Sequence, residues 1–236
     1  MVLERHLDWE GCFNVRDLGG LPAADGRRTR WGAVVRADAV DRLTATGWSA
    51  LRAHGVRTVI DLRNDDELAP DVARRPGDVT TLHLPLDGID DSEFWGHWKH
   101  QAPPMYYGPF LARFPRRIAD VMGAVASARP GGVVIHCVGG RDRTGLVAML
   151  LLALAGVAPD AIAEDHALST ARLATLYART GEPDQGAIIE EFLEREGTTA
   201  RELILTTLAS LDVPAYLREA GLSEADLATV RDRLLT

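Results

Sequence analysis

Between residues 130 and 158 the chain passes from Pro130-Gly131-Gly132 through four residues that read as a short buried strand, Val133 to His136. A polar, glycine-containing loop follows, and then a strongly apolar run from Thr144 to Ala155. A strand, a tight loop and a buried helix in that order require a sheet whose edge carries the loop and whose face carries the helix. A loop so placed can turn successive backbone N–H groups inward as an anion nest, and the helix N-terminus adds further unpaired donors.

The loop reads His136-Cys137-Val138-Gly139-Gly140-Arg141-Asp142-Arg143-Thr144-Gly145. Gly139 and Gly140 allow backbone conformations that a side chain would obstruct. Cys137 opens the cradle and Arg143 closes it, with Val138, Gly139, Gly140, Arg141, Thr144 and Gly145 as the expected walls around a tetrahedral anion. A free cysteine has a pKa of about 8.5, which helix N-termini and nearby cations lower to roughly 3.5–7.5. Cys137 is therefore expected to be a thiolate ready for in-line attack on phosphorus. Arg143 is expected to grip two non-bridging oxygens bidentately, a task that suits a planar guanidinium better than an ammonium. The Thr144 hydroxyl is placed to donate to the sulfur as it leaves. His136 is expected to order the loop by hydrogen bonding rather than to act as a base. An isolated free cysteine is usually a buried structural thiol; the agreement of glycines, arginine and strand–loop–helix context is what argues otherwise here.

A net charge of −8 excludes a general nucleic-acid binder, whose phosphate contacts need a basic surface, but leaves room for a local positive pocket. The longest apolar stretch, Leu146 to Ala158, is shorter than the roughly 20 residues that span a bilayer, and Met1 to Glu10 lacks a secretory signal pattern. Two cysteines, Cys12 and Cys137, make no disulfide framework, so a cytoplasmic protein is expected. Cys12 reads as a core residue, with a protective disulfide to Cys137 as the alternative. Seven histidines and two cysteines show no zinc-ligand spacing.

The 236 residues read as one domain. Short β-like pieces occupy Phe13 to Val40. Thr44 is placed to cap a helix from Ala45 to His54 that Gly55 stops. Val56 to Leu62 and Val79 to Leu84 read as strands, and Leu111 to Ala128 as one helix. Pro159 to Thr236 is helical by periodicity, with Ser223 and Asp226 as a capping-box variant. Strands alternating with helices and then a helical C-terminal half define an α/β fold. Phe94, Trp95, Trp98, Tyr106, Tyr107 and Phe110 crowd the segment 87–113 beside Pro103-Pro104, either as a lid over a pocket or as core of an irregular connection.

The loop resembles the Cys-x5-Arg phosphate loop of the protein tyrosine phosphatase superfamily. The whole chain resembles more narrowly its bacterial tyrosine/serine phosphatase family, which is similar to phosphoinositide phosphatases. Asn14-Val15-Arg16-Asp17-Leu18-Gly19-Gly20, Val35-Arg36-Ala37-Asp38 with Leu43-Thr44, Val59-Ile60-Asp61-Leu62-Arg63 with Glu67, and Tyr216-Leu217 through Leu234-Leu235 carry that resemblance beyond the loop. It implies a partly parallel central sheet flanked by helices, a phosphocysteine intermediate, and neither metal nor other cofactor. The implied substrates are phosphorylated proteins or peptides, with phosphoinositide as a further candidate. It also implies Asp142 as general acid; Asp87, after the Val79 to Leu84 strand, is the alternative. The family's usual lysine before that aspartate is Arg141 here, which bears on lipid preference more than on phosphatase chemistry. Asp61 and Arg63 are expected either to line the pocket or to pair with Arg16 or Asp17.

Two other classes compete. A non-catalytic phosphate-recognition module needs the nest and Arg143 but not Cys137. Sulfur transfer or arsenate reduction also uses a cysteine at the head of an anion loop, but in a different Cys-to-Arg frame.

Overall fold

The computed structural model describes residues 4–236. Five strands, β1 (Arg16–Asp17), β2 (Val34–Ala37), β3 (Val56–Asp61), β4 (Thr80–His83) and β5 (Gly132–His136), form one sheet in the order β1-β2-β5-β3-β4. Only β1 runs antiparallel to its neighbour; the other pairs are parallel. The expected partly parallel sheet is therefore present. β5 lies at its centre, with His136 in register with Ala37 on one side and Asp61 on the other. Open parallel sheets bind ligands beyond the carboxyl ends of their strands, and the loop after β5 leaves the sheet there.

Alternation along β5 divides the core between two faces. Val133, Ile135 and Cys137 point into the larger cluster with Val34, Ile60 and Leu62. Val134 points the other way, with Val35, Ala37, Val59, Trp48 and Leu51. Trp48 and Leu51 belong to α1 (Ala45–Ala53), the helix capped by Thr44, whose hydroxyl accepts from the Gly47 amide at 3.2 Å.

The larger face carries α2 (Ser92–Trp98), α3 (Tyr107–Arg113), α4 (Pro115–Ser127) and α5 (Asp142–Leu154), then α6 (Pro159–Thr180), on which α7 (Gln185–Arg195) packs, and α8 (Ala200–Ala209), α9 (Val213–Glu219) and α10 (Glu224–Leu234). α5 is almost wholly buried and packs on α4, α6, α9 and α10. Asp184, Thr199, Asp212 and Ser223 each cap the helix that follows. That is why residues 159–236 form five helices rather than one long periodic run.

The single helix expected over Leu111 to Ala128 is two. Phe114 leaves the helical region (φ −123°, ψ 45°) and Pro115 starts α4. Proline restricts the residue before it and suits the first helical position. The aromatics of 87–113 include core residues: Phe94, Tyr107 and Phe110 are buried, and Trp95, Trp98 and Tyr106 pack on them half-buried. Among the described residues no helix is long and apolar enough to cross a membrane.

Candidate active site

α5 begins at Asp142, two residues earlier than the sequence suggests, so Asp142 and Arg143 stand in its first turn and Cys137 to Arg141 form the loop. The amides of Val138, Gly139, Gly140 and Arg141 make no hydrogen bond within the described protein. They are the unpaired donors that an anion nest requires. Gly140 has φ +66°, and a Cβ there would lie 2.3 Å from the Ala37 carbonyl oxygen, so no other residue fits. Gly139 does not share that conformation, contrary to expectation; a Cβ there would meet Leu173 at 3.4 Å. Gly145 is a matter of space, since a Cβ would lie 2.8 Å from the His166 ring and 3.2 Å from the Tyr107 hydroxyl.

Cys137 is 3% exposed. Burial works against the charge on Arg143, but Glu67, the Cys137 sulfur and Asp87 together hold the guanidinium above its ordinary pKa. Both Arg143 Nη atoms donate to the Glu67 carboxylate, at 2.6 Å for Nη2–Oε1, and Asp87 Oδ2 lies 3.2 Å from Nη1. None of these contacts uses Nε, so the Nε edge of the fork is uncommitted. Glu67 is itself fixed by the Asn64 amide, which donates to it at 2.8 Å. In the sequence Glu67 stands out only as a motif member; nothing local to it announces a partner 76 residues away.

The two candidate acids differ. Asp142 is partly exposed and accepts from Arg141 Nε at 2.9 Å. Asp87 is mostly buried, accepts from Asn64 Nδ2 at 3.1 Å, and is more than the turn residue its position before Gly88 suggests. Burial raises its pKa, Arg143 and Asn64 oppose the rise, and Glu67 and Asp142 add to it. The Tyr106 phenol is pushed well up, by burial and then by the charges of Asp142 and Asp87, with Arg143 and Cys137 also in range.

Other residues fall differently from expectation. Arg63 pairs with Asp41 at 2.6 Å and Asp61 at 2.8 Å, all three buried, rather than Asp61 or Arg63 reaching Arg16 or Asp17. Asp17 instead accepts from His54 at 2.7 Å. Both cysteines are free, and they belong to opposite faces of the sheet, Cys12 against the cluster that contains Val134. No disulfide joins them. Thr144 Oγ1 is buried without a hydrogen-bond partner among the described residues. His136 Nδ1 donates to the Cys137 carbonyl at 3.2 Å, in keeping with an ordering role. Burial lowers its pKa to about 4 against the opposing pull of Asp61. Arg141 is 8% exposed, with Nη1 buried and unpaired. Among the described residues no three His, Cys, Asp or Glu side chains gather as a metal site.

A mostly parallel sheet with an amide nest, a cysteine and a held arginine after its central strand defines a protein of the Cys-x5-Arg type. The family model described as a tyrosine phosphatase family matches residues 7–236, and the chain belongs to that family. A Cupriavidus necator protein named as a tyrosine-protein phosphatase is 30% identical, over 99% of this chain and 90% of its own length. The triple specificity protein phosphatase PtpB of Mycobacterium tuberculosis is 27% identical, over 95% of this chain and 97% of its own. The crystal structure of P. aeruginosa TpbA aligns with a TM-score of 0.42 at 18% identity, over 82% of this chain and 89% of that one.

Proposed function

We propose that the chain hydrolyses phosphate monoesters, phosphotyrosine in proteins first, through a phosphocysteine intermediate. The observation that carries this reading is the pairing of Cys137 with an Arg143 whose Nη end is held by Glu67 while Nε faces no partner, beside amides that bond to nothing in the protein. A phosphate dianion would take the Nε edge of the guanidinium and the amides of Val138 to Arg141. The Cys137 thiolate then attacks phosphorus, the P–O bond to the leaving group breaks, and a carboxylic acid protonates the departing oxygen. Water attacks the phosphocysteine next; the S–P bond breaks, the carboxylate takes the water's proton, and inorganic phosphate leaves.

Asp142 is the first candidate for that acid by its place in the loop. A specific observation favours Asp87 as a second: its burial keeps a larger fraction protonated near neutral pH. An acid must be protonated to act, so activity falls as pH rises through its raised pKa. Comparing Asp142→Asn and Asp87→Asn decides between them, since the true acid's variant loses the alkaline limb of the pH–rate profile.

The half-buried Tyr106 and Trp95 suit a phosphotyrosine ring, and likeness to a triple specificity phosphatase supports a range of substrates wider than phosphotyrosine. Arg141 is bound to Asp142 at Nε, which makes it a less free cation than a lysine for a lipid headgroup. A free Cys137 thiol suits a reducing, cytoplasmic setting. The test is hydrolysis of p-nitrophenyl phosphate by wild type and Cys137→Ser, then rates on matched phosphotyrosine, phosphoserine and phosphoinositide panels with and without chelator. Equal background rates in both proteins would leave only a phosphate-recognition module, and chelator inhibition would count against the metal-free route.

A further inference from the structure

Gly139 and Gly140 are held from beneath by side chains that the proposed chemistry does not use. Asn14 Nδ2 donates to the Gly139 carbonyl at 2.9 Å, and Arg36 Nη2 donates to the Gly140 carbonyl at 2.8 Å. Each of these donors leads back to one carboxylate. Arg36 Nη1 donates to Asp165 Oδ2 at 2.8 Å. Asn14 Oδ1 accepts from Arg16 Nη1 at 2.6 Å, and Arg16 Nε donates to Asp165 Oδ1 at 3.1 Å. Ser169, one turn along α6, accepts from Arg16 at 3.0 Å and Arg36 at 3.3 Å. Asn14, Arg16, Arg36, Asp165 and Ser169 are all within 2% of complete burial.

We propose that Asp165 is the positioning residue of the phosphate loop, anchoring two arms that fix the Gly139 and Gly140 peptides with their N–H groups toward the bound phosphate. The reason lies in the peptide itself. In a planar trans peptide the carbonyl and the following N–H point in opposite directions. A carbonyl pulled down by Asn14 or Arg36 therefore turns the amide of Gly140 or Arg141 up, and these are amides with no partner in the protein. Without the arms the glycines would be free to flip those peptides, and the donors would be present but not aimed. The inference rests on the reading of Cys137 to Arg143 as a phosphate cradle.

Charge gives the proposal a test of sign. Arg5, Arg16 and Arg36 all pair with Asp165, so three guanidinium groups surround one carboxylate. Asp165→Asn makes the neighbourhood of the loop more positive. On charge alone, phosphate binding should tighten; if Asp165 only joins α6 to the sheet, affinity below the unfolding temperature should stay the same. Positioning requires it to weaken. Asn14→Ala supplies a second variant that changes no charge and cuts only the Gly139 arm.

Inorganic phosphate affinity is to be measured by calorimetric titration on wild type, Asp165→Asn and Asn14→Ala, alongside kcat and KM on p-nitrophenyl phosphate. About tenfold weaker phosphate binding is expected for Asp165→Asn and about threefold for Asn14→Ala, each with a fall in kcat. Equal or tighter binding in Asn14→Ala and in any folded Asp165→Asn would overturn the proposal. Should Asp165→Asn not fold, Asn14→Ala decides alone. A wild type that binds phosphate without Cys137-dependent hydrolysis would sink the phosphatase reading and leave this one standing; a wild type that neither binds phosphate nor shows Cys137-dependent hydrolysis would remove both.

Discussion

Arg143 and Arg36 both reach the phosphate loop, yet they are built for different work. Arg143 stands in the first turn of α5 and is steadied by Glu67 and Asp87, with Nε uncommitted. Arg36 lies beneath the loop at 1% exposure, its two Nη atoms spent on Asp165 and the Gly140 carbonyl. One guanidinium is held so that it can bind; the other binds so that the loop is held. On the proposed reading this anion site draws on two sets of side chains. Arg143 would meet the ligand, and the buried set would stop the amides from turning toward protein acceptors.

If that separation holds, Arg143→Lys should act on turnover and leave the fold alone. A point charge replaces a two-pronged grip, so kcat on p-nitrophenyl phosphate should fall about 10²–10³-fold, with the unfolding midpoint close to wild type. A large loss of stability in that variant would erase the distinction. Arg36→Met is the reverse experiment. It leaves Asp165 short of a partner in a dry environment, and chemical denaturation should register about 3 kcal/mol or more of lost stability. Little change would mean that the buried pair is dispensable.

The buried side also carries a pH signature. His136 is neutral in the fold, its pKa lowered from 6.5 to about 4 by burial. The unfolded chain binds the proton first, so this stabilisation is present above the unfolded pKa and is lost as pH falls from about 6.5 toward 4. At full loss it amounts to about 3 kcal/mol. His136→Gln should flatten the acid limb of stability measured by urea unfolding; an unchanged limb would assign acid sensitivity elsewhere. The smallest effect is expected at Cys12. It packs on the face of the sheet opposite Cys137, its thiol pushed up by burial and then by Asp38, so Cys12→Ala should keep kcat within about twofold. A larger drop would show the two cysteines acting together.

Much of this was legible before any coordinates. The strand, the loop and the apolar helix are contiguous, so the chemistry of residues 133–155 could be read in order, as could the Thr44 cap. The split between α3 and α4 is legible too, because Pro115 is a helix-start signal inside an otherwise periodic run. Arg36 offered a clue, as a lone charge among Val34, Val35 and Ala37 in a buried strand. Asp165 offered none, because an aspartate in an amphipathic helix reads as a solvated face.

The amino-acid order alone determined which groups could do chemistry: one cysteine, one arginine six residues on, and glycines between them. Only tertiary packing decided how those groups are held. Arg36 and Gly140 are 104 residues apart, Asp165 and Arg16 149, and Glu67 and Arg143 76. A hydrogen bond over such separations leaves no periodic trace in the chain. It exists because the sheet brings β2 and β3 to either side of β5, and because α6 packs beside α5 over the loop's buried side.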